Sequence, residues 1–87
     1  MSVEAELRER LQAALAPVEL HIVNESHMHN GHHGSPGTGE SHFRVRVVSE
    51  RFAGLSRIDR HRLVNEAVAD LRDRIHALAV KATTPGE

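Results

Sequence analysis

The sequence predicts an α+β fold, a two-layer α-β-β-α-β sandwich whose two helices cover one face of a three-stranded mixed sheet. Two observations lead to this prediction. Apolar residues recur every three or four positions in segments 2–15 and 56–71, and they alternate with polar residues in segments 18–24 and 42–49. A further apolar run, from 75 to about 83, supplies the third strand.

The first helix, residues 2–15, begins at Ser2, a residue whose hydroxyl suits an N-cap. Its apolar residues follow at four-residue steps, so they line one side of the helix. These residues are Val3, Leu7, Leu11 and Leu15. Pro17 cannot continue a helix and therefore ends it.

Residues 18–24 and 42–49 alternate as strands with one buried face do. The residues predicted to face the core are Val18, Leu20, Ile22, Phe43, Val45 and Val47. The residues predicted to face outward are His21, His42, Arg44 and Arg46. Because the two strands flank one loop, we expect them to pair antiparallel.

The loop between these strands, residues 26–41, contains four glycines and one proline. Four of the eight histidines of the chain lie in it: His27, His29, His32 and His33. Loops of this length are uncommon in small domains and are usually functional or mobile. One interpretation is a metal site built from imidazoles; the other is a polar loop that binds divalent ions only weakly.

The second helix begins at Ser56, whose hydroxyl can accept from the amide of Asp59. Its apolar stripe consists of Val64, Ala67, Val68 and Leu71, with His61 at the edge. A short turn then leads to a strand that starts near Ile75, so that His76 opens it. Residue type and position leave both a structural and a ligand role open for His42, His61 and His76.

Composition excludes several classes of function. The chain has no cysteine, so disulfides, cysteine zinc fingers and thiol catalysis are excluded. Two phenylalanines are its only aromatic rings, which argues against base stacking on single-stranded nucleic acid. Neither a catalytic Ser-His-Asp set nor a phosphate loop is recognisable. We therefore expect neither an enzyme nor a small-molecule substrate.

The length of 87 residues predicts a single domain, 1–87, that ends in a short tail at 84–87. Its longest apolar runs fall well short of the roughly 20 residues that span a membrane, and no signal-peptide pattern begins the chain. The expectation is a cytoplasmic protein without membrane attachment. The net charge of −1 gives no overall attraction to nucleic acid, although arginines are concentrated in the central third.

Short motifs along nearly the whole chain resemble those of one protein family. In the first half they are Asn24-Glu25-Ser26, Met28-His29-Asn30 and Gly39-Glu40-Ser41-His42-Phe43-Arg44-Val45. In the second half they are Phe52-Ala53-Gly54-Leu55, Arg60-His61-Arg62-Leu63-Val64-Asn65 and Ile75-His76-Ala77-Leu78-Ala79. Together they resemble the BolA family. The resemblance implies a fold similar to a class II KH domain, with a helix-turn-helix-like segment around 50–71. It also implies a heterodimer with a monothiol glutaredoxin and a bridging 2Fe-2S cluster, shared with that partner and with glutathione.

The same resemblance implies two ligands for the cluster. His76 matches the histidine near the end of the family sequence, and the loop before the second strand supplies the other ligand. Alignment through the Met28-His29-Asn30 motif indicates His29. This loop is longer than the family pattern and richer in histidine, so His27, His32 and His33 are alternatives.

The alternative function is a DNA-binding transcriptional regulator, which the resemblance also allows. Its phosphate contacts would come from Arg51, Arg57, Arg60 and Arg62, with Arg44 or Arg46. The net charge of −1 argues against DNA binding. So does the position of Gly31 and Gly34, because their Gly-x-x-Gly spacing does not open a helix as it does in KH domains. The arginines could instead form a solvated helix face that pairs with neighbouring carboxylates.

Overall fold

A computed structural model describes residues 2–25 and 42–87 of the chain. The elements are α1 (Val3–Leu15), β1 (Glu19–Asn24), β2 (His42–Val48), α2 (Arg57–Ala67) and β3 (Ala77–Thr83). Short 3₁₀ turns at Glu50–Phe52 and Ala69–Leu71 precede and follow α2. The predicted α-β-β-α-β order is confirmed. Neither α1 nor α2 is long and apolar enough to cross a membrane.

β2 is the central strand of the sheet. β1 pairs with it antiparallel, from Glu19 opposite Val48 to Asn24 opposite Phe43. β3 pairs with its other side in parallel, starting at His42 opposite Ala77. The sheet is therefore mixed, as predicted, and in the described part of the chain both outer strands keep one edge without a neighbouring strand.

The core lies between the helices and one face of the sheet. It consists of Val3, Leu7, Leu11, Leu15, Phe43, Val45, Val47, Phe52, Val64, Val68, Leu71 and Ile75. Fully burying an aliphatic or phenylalanine side chain stabilises a fold by about 1.5–3 kcal/mol. The opposite face of the sheet, with His21, Arg44 and Arg46, is exposed. This confirms that the helices cover one face only.

The second helix is shorter than its apolar stripe predicts. The α-helix ends at Ala67, and the 3₁₀ turn Ala69–Leu71 continues the chain. Val68 and Leu71 are nevertheless buried, because three residues make one turn of a 3₁₀ helix and so place both on the same side. The predicted burial of Val68 and Leu71 is confirmed. The prediction that the α-helix includes them is wrong, because the helix ends at Ala67.

Two predictions at strand ends are corrected. β3 starts at Ala77 rather than near Ile75, because its partner β2 begins at His42, the residue opposite Ala77. His76 therefore lies just before the strand. Val18, predicted to face the core, precedes β1 and is 61% exposed. β1 is an outer strand, and even its inward residues Leu20 and Ile22 are only partly buried.

Ser49 connects three parts of the fold. It is fully buried and follows β2 directly. Its hydroxyl donates to the carbonyl of Leu15 in α1, at 2.6 Å, and accepts from the amide of Arg51, at 3.1 Å. Its own amide donates to the carbonyl of Thr83 in β3, at 2.9 Å. The carbonyl groups in the last turn of a helix have no partner within the helix, so the bond to Leu15 supplies one.

We expect Ser49→Ala to lower the free energy of unfolding by at least about 2 kcal/mol. It leaves the buried Leu15 carbonyl without a partner, which costs about 1–3 kcal/mol, and it removes the partly buried hydrogen bond from the Arg51 amide, which contributes about 0.5–1.5 kcal/mol. Urea unfolding followed by circular dichroism measures the loss. Ser2→Ala, which removes an exposed cap from α1, is the control and should cost about 1 kcal/mol. Equal losses for the two variants would contradict this role of Ser49.

Candidate functional site

Two histidines lie together where β2 and β3 begin. His42 is the first residue of β2 and pairs with Ala77, so His76 is held beside it. The centroids of the two imidazole rings are 5.0 Å apart, and the ring planes are tilted by 46°. His76 is exposed, whereas its neighbour Ile75 is buried in the core and fixes the chain at this point. We call His42 and His76 the histidine corner.

The segment that carries the predicted loop ligands starts and ends at this corner. Asn24 pairs with Phe43 at the last position of the β1–β2 ladder, and the amide of Glu25 donates to the carbonyl of His42 at 2.8 Å. Glu25 also forms an ion pair with Arg44 at 3.3 Å. The predicted ligands His27, His29, His32 and His33 lie outside the described residues. The end of their segment at His42 lies beside His76, whereas the end at Glu25 is bonded to His42 from the β1 side of β2.

The corner provides imidazole nitrogens and no other obvious metal donors. Imidazole binds zinc, copper, nickel and iron, which are borderline in softness. No group of three histidine, cysteine, aspartate or glutamate side chains suited to a metal ion occurs among residues 2–25 and 42–87. Within those ranges, the corner can therefore offer one or two ligands to a metal that other groups also hold.

The four arginines proposed for nucleic-acid contact differ in their surroundings. Arg51, Arg57 and Arg62 are exposed, and Arg62 lies 3.7 Å from Asp59 on the same helix. The side chain of Arg60 is only 16% exposed and makes several contacts within the chain. The structure therefore separates Arg60 from the other three, a distinction that the sequence pattern did not indicate.

Arg60 lies in a groove of about 630 Å³ between α2 and the outer edge of β3, which we call the α2–β3 groove. Its lining residues are Leu55, Arg57, Arg60, His61, Val80, Lys81, Ala82, Thr83 and Glu87. Lys81 and Glu87 were not among the residues predicted to form a binding site, because they come from the third strand and the segment after it. The alternation of β3 could have indicated Lys81, whereas no local pattern indicated Glu87.

The guanidinium of Arg60 binds the carboxylate of Glu87 through two parallel hydrogen bonds. Nη1 donates to Oε2 at 2.7 Å, and Nη2 donates to Oε1 at 2.8 Å. The amide of Thr84 also donates to Oε2, at 3.1 Å. The Arg60 hydrogen bond, followed by that from Thr84, lowers the pKa of Glu87 from 4.5 to about 2. The same pairing raises the pKa of Arg60 above its ordinary value.

The exposed face of the sheet carries a second set of basic residues, and its charge is partly neutralised. Arg44 pairs with Glu25, and Arg46 lies 3.9 Å from Glu19. A shallow depression of about 390 Å³ between these arginines and Lys81 lies on this face. These acidic neighbours offset part of the positive charge of this face, as Asp59 does for Arg62 on the helix side.

The fold is that of a small α+β protein with a three-stranded mixed sheet, and comparison with known sequences identifies the family. The sequence matches the BolA-like protein family over residues 11–87. The chain belongs to the BolA family. It is 48% identical to an uncharacterised Sinorhizobium protein encoded in the cobS 5′ region, a match that covers 100% of this chain and 96% of that protein.

Two further relatives have descriptive names. Mouse BolA-like protein 1 is 49% identical over 98% of this chain, which spans only 60% of the mouse protein's length. The DNA-binding transcriptional regulator BolA of Vibrio cholerae is 50% identical, and the match covers 93% of this chain and 74% of the regulator.

Solved structures have the same fold. BolA1 from Arabidopsis thaliana superposes on this chain with a TM-score of 0.82 at 42% sequence identity. The match covers 93% of this chain and 89% of the BolA1 chain. The BolA domain of SufE1 from the same plant gives a TM-score of 0.80 at 41% identity, covering 93% of this chain and 90% of that domain. The predicted BolA-like fold is confirmed.

We expect the carboxyl group of Glu87 to titrate near pH 2 rather than near 4.5. Because its pKa is lower in the folded state, the stabilisation by the Arg60 pair is complete above pH 4.5 and is lost as the pH falls toward about 2. NMR titration of the side-chain carboxyl carbon measures the midpoint. Arg60→Gln should return it toward 4.5, whereas the exposed control Arg72→Gln should leave it low. An ordinary midpoint in the unmodified protein would contradict the pairing.

Proposed function

We propose that this chain is an adaptor for iron–sulfur cluster assembly that forms a heterodimer with a monothiol glutaredoxin. In this proposal the pair shares a bridging 2Fe-2S cluster, with glutathione as a further ligand. His76 and one loop histidine, His29 first, act as ligands from this chain. The observation that carries the proposal is the exposed imidazole of His76 beside His42, the residue at which segment 26–41 re-enters the sheet.

The donor atoms of the chain fit this group. Imidazole nitrogens can replace thiolates on one iron of a 2Fe-2S cluster, as in Rieske centres. The sequence contains no cysteine, so thiolate ligands have to come from a partner. An adaptor that contributes only imidazoles and depends on a partner for sulfur agrees with both facts. His27, His32 and His33 stay as alternatives to His29.

The chain's own contribution is to bind and orient. The parallel pairing of His42 with Ala77 holds His76 at the surface, and the β1–β2 ladder fixes both ends of the ligand segment. The cluster, when bound, supplies electron transfer and an iron–sulfur unit that can be passed on. In this role the protein is a carrier rather than an enzyme. Its cytoplasmic location stays a prediction. The occurrence of a BolA domain within SufE1 supports a role beside other protein modules.

The cluster proposal predicts a distinct spectrum for the mixed complex. The chain is combined with a monothiol glutaredoxin, iron, sulfide and glutathione, and visible absorption and circular dichroism are recorded. We expect a heterodimer spectrum that differs from that of the glutaredoxin homodimer. His76→Ala should abolish the difference, and His29→Ala should reduce or abolish it, because each removes an imidazole ligand.

His21→Ala is the matched control, since His21 is an exposed histidine within β1, away from the corner. It should leave the heterodimer spectrum unchanged. If His29→Ala has no effect, the same measurement on His27→Ala, His32→Ala and His33→Ala identifies the loop ligand. A spectrum identical to that of glutaredoxin alone would overturn cluster sharing.

A second candidate function is DNA binding. The relative from Vibrio cholerae is named a DNA-binding transcriptional regulator, and Arg51, Arg57 and Arg62 are exposed on this chain. Arginine side chains open to solvent can reach phosphate oxygens. Arg60, which the sequence analysis grouped with them, donates to Glu87 and to backbone carbonyls. It is therefore the least available of the four in the folded chain.

DNA binding through this surface would show a measurable salt dependence. Each phosphate contact changes the slope of log K against log salt by about 0.9, so Arg57→Gln with Arg62→Gln should make the slope less steep by roughly 2. Fluorescence anisotropy with duplex DNA at several salt concentrations measures it. The control, Arg8→Gln with Arg72→Gln, removes the same charge from outside the proposed surface. Equal slopes for both double variants would contradict a specific arginine face.

A further inference from the structure

Arg60 is held in position by the backbone on both sides of the α2–β3 groove. Its Nε donates to the carbonyl of Leu55, just before α2, at 3.1 Å, and its Nη1 donates to the carbonyl of Ala82 in β3, at 3.3 Å. These bonds orient the guanidinium independently of Glu87. A guanidinium fixed in this way is a preformed binding site for a two-oxygen anion.

The carboxylate of Glu87 occupies this site in the free chain. Glu87 closes a four-residue turn, with its amide donating to the carbonyl of Thr84 at 3.2 Å. Its side chain is 41% exposed. The partner guanidinium of Arg60 is only 16% exposed, so a second carboxylate can take the place of Glu87 if it makes the same two hydrogen bonds and adds further contacts in the groove.

Without Glu87 the groove is basic. Arg57, Arg60 and Lys81 line it, and Glu87 is the only acidic residue among the lining residues in the described ranges. The nearby carboxylate of Asp59 lies 3.7 Å from Arg62. The ligand that complements this groove is therefore negatively charged.

The other wall of the groove is the outer edge of β3. The carbonyl of Thr83 accepts from Ser49 on the β2 side, whereas that of Ala82 accepts from Arg60 on the outer side. Since strand backbone groups alternate in direction, Val80, which also lines the groove, points its backbone groups to the same side as Ala82. This edge offers both donors and acceptors. A peptide backbone satisfies both kinds of group, and a phosphate chain only accepts.

We propose that the α2–β3 groove is a docking site for an extended acidic segment of a partner protein. The segment adds to the outer edge of β3, and one of its carboxylates replaces Glu87 on Arg60. Glu87 acts as an internal competitor that covers the site in the free chain. This site is separate from the histidine corner, and its test does not depend on an iron–sulfur cluster.

The experiment measures binding of a short fluorescein-labelled peptide of alternating glutamate and valine to the full chain by anisotropy. Glu87→Gln should bind the peptide about two- to fivefold more tightly than the unmodified chain, because it weakens the internal competitor. Arg60→Gln should weaken binding by about tenfold, through loss of the paired hydrogen bonds. Arg72→Gln, an exposed arginine outside the groove, is the control and should change nothing.

Two measurements keep the test independent of any folding defect in Arg60→Gln. Arg57→Gln alters an exposed residue of the groove and should weaken binding without affecting stability. In amide NMR spectra of the unmodified chain, the peptide should shift Val80 and Ala82 more than residues of β1. Shifts confined to β1 or to the exposed sheet face would overturn the proposal.

The charge of the peptide and the class of ligand are tested separately. A peptide with lysine in place of glutamate should not bind, and equal binding of both peptides would contradict the charge argument. Short single-stranded oligothymidylate is tested in parallel. If it binds better than the acidic peptide and gains affinity in Glu87→Gln, the groove is a nucleic-acid site and the peptide proposal fails. Unchanged affinity in Glu87→Gln would exclude Glu87 as a competitor.

Discussion

The parallel pairing of β2 with β3 is the interaction on which the arrangement of functional groups depends. At one end, His42 lies opposite Ala77, which brings His76 to the base of the segment between the first two strands. At the other end, the bond from Ser49 to Thr83 fixes the chain just before it turns back toward α2. A shift of this register by one residue would reverse the faces of β3 and move both sites at once. One strand therefore positions an imidazole surface and a guanidinium surface at its opposite ends.

The two surfaces use different physical principles. The histidine corner offers imidazole nitrogens, which are ligands for metal ions of borderline softness. The groove offers a fixed positive charge whose hydrogen bonds are directed by the backbone. A partner could in principle contact both surfaces, because they belong to one strand and the helix beside it. The sheet keeps them apart, so changes in one surface need not disturb the other.

Local periodicity was sufficient to predict the elements of the fold but not the contacts between distant residues. Ser2 and Ser56 cap the helices as predicted, and the alternation in β2 identified its buried residues. The α2 terminus was misjudged because a 3₁₀ turn preserves the apolar spacing. The contact of Arg60 with Glu87 joins residues 27 positions apart, so no local pattern could reveal it. The ring contact at the corner likewise requires the register of a parallel pair, which depends on the whole core.

The base of the β1–β2 hairpin has a consequence for how this chain can vary. The ladder from Glu19 to Asn24, closed by the bond between Glu25 and His42, joins the two strands up to the ends of segment 26–41. The closure entropy of a flexible loop rises only by about 0.6 kcal/mol for each doubling of its length. Insertions, deletions and new histidines in that segment are therefore inexpensive for the fold. Evolution can alter the histidines there while the scaffold and His76 stay as they are.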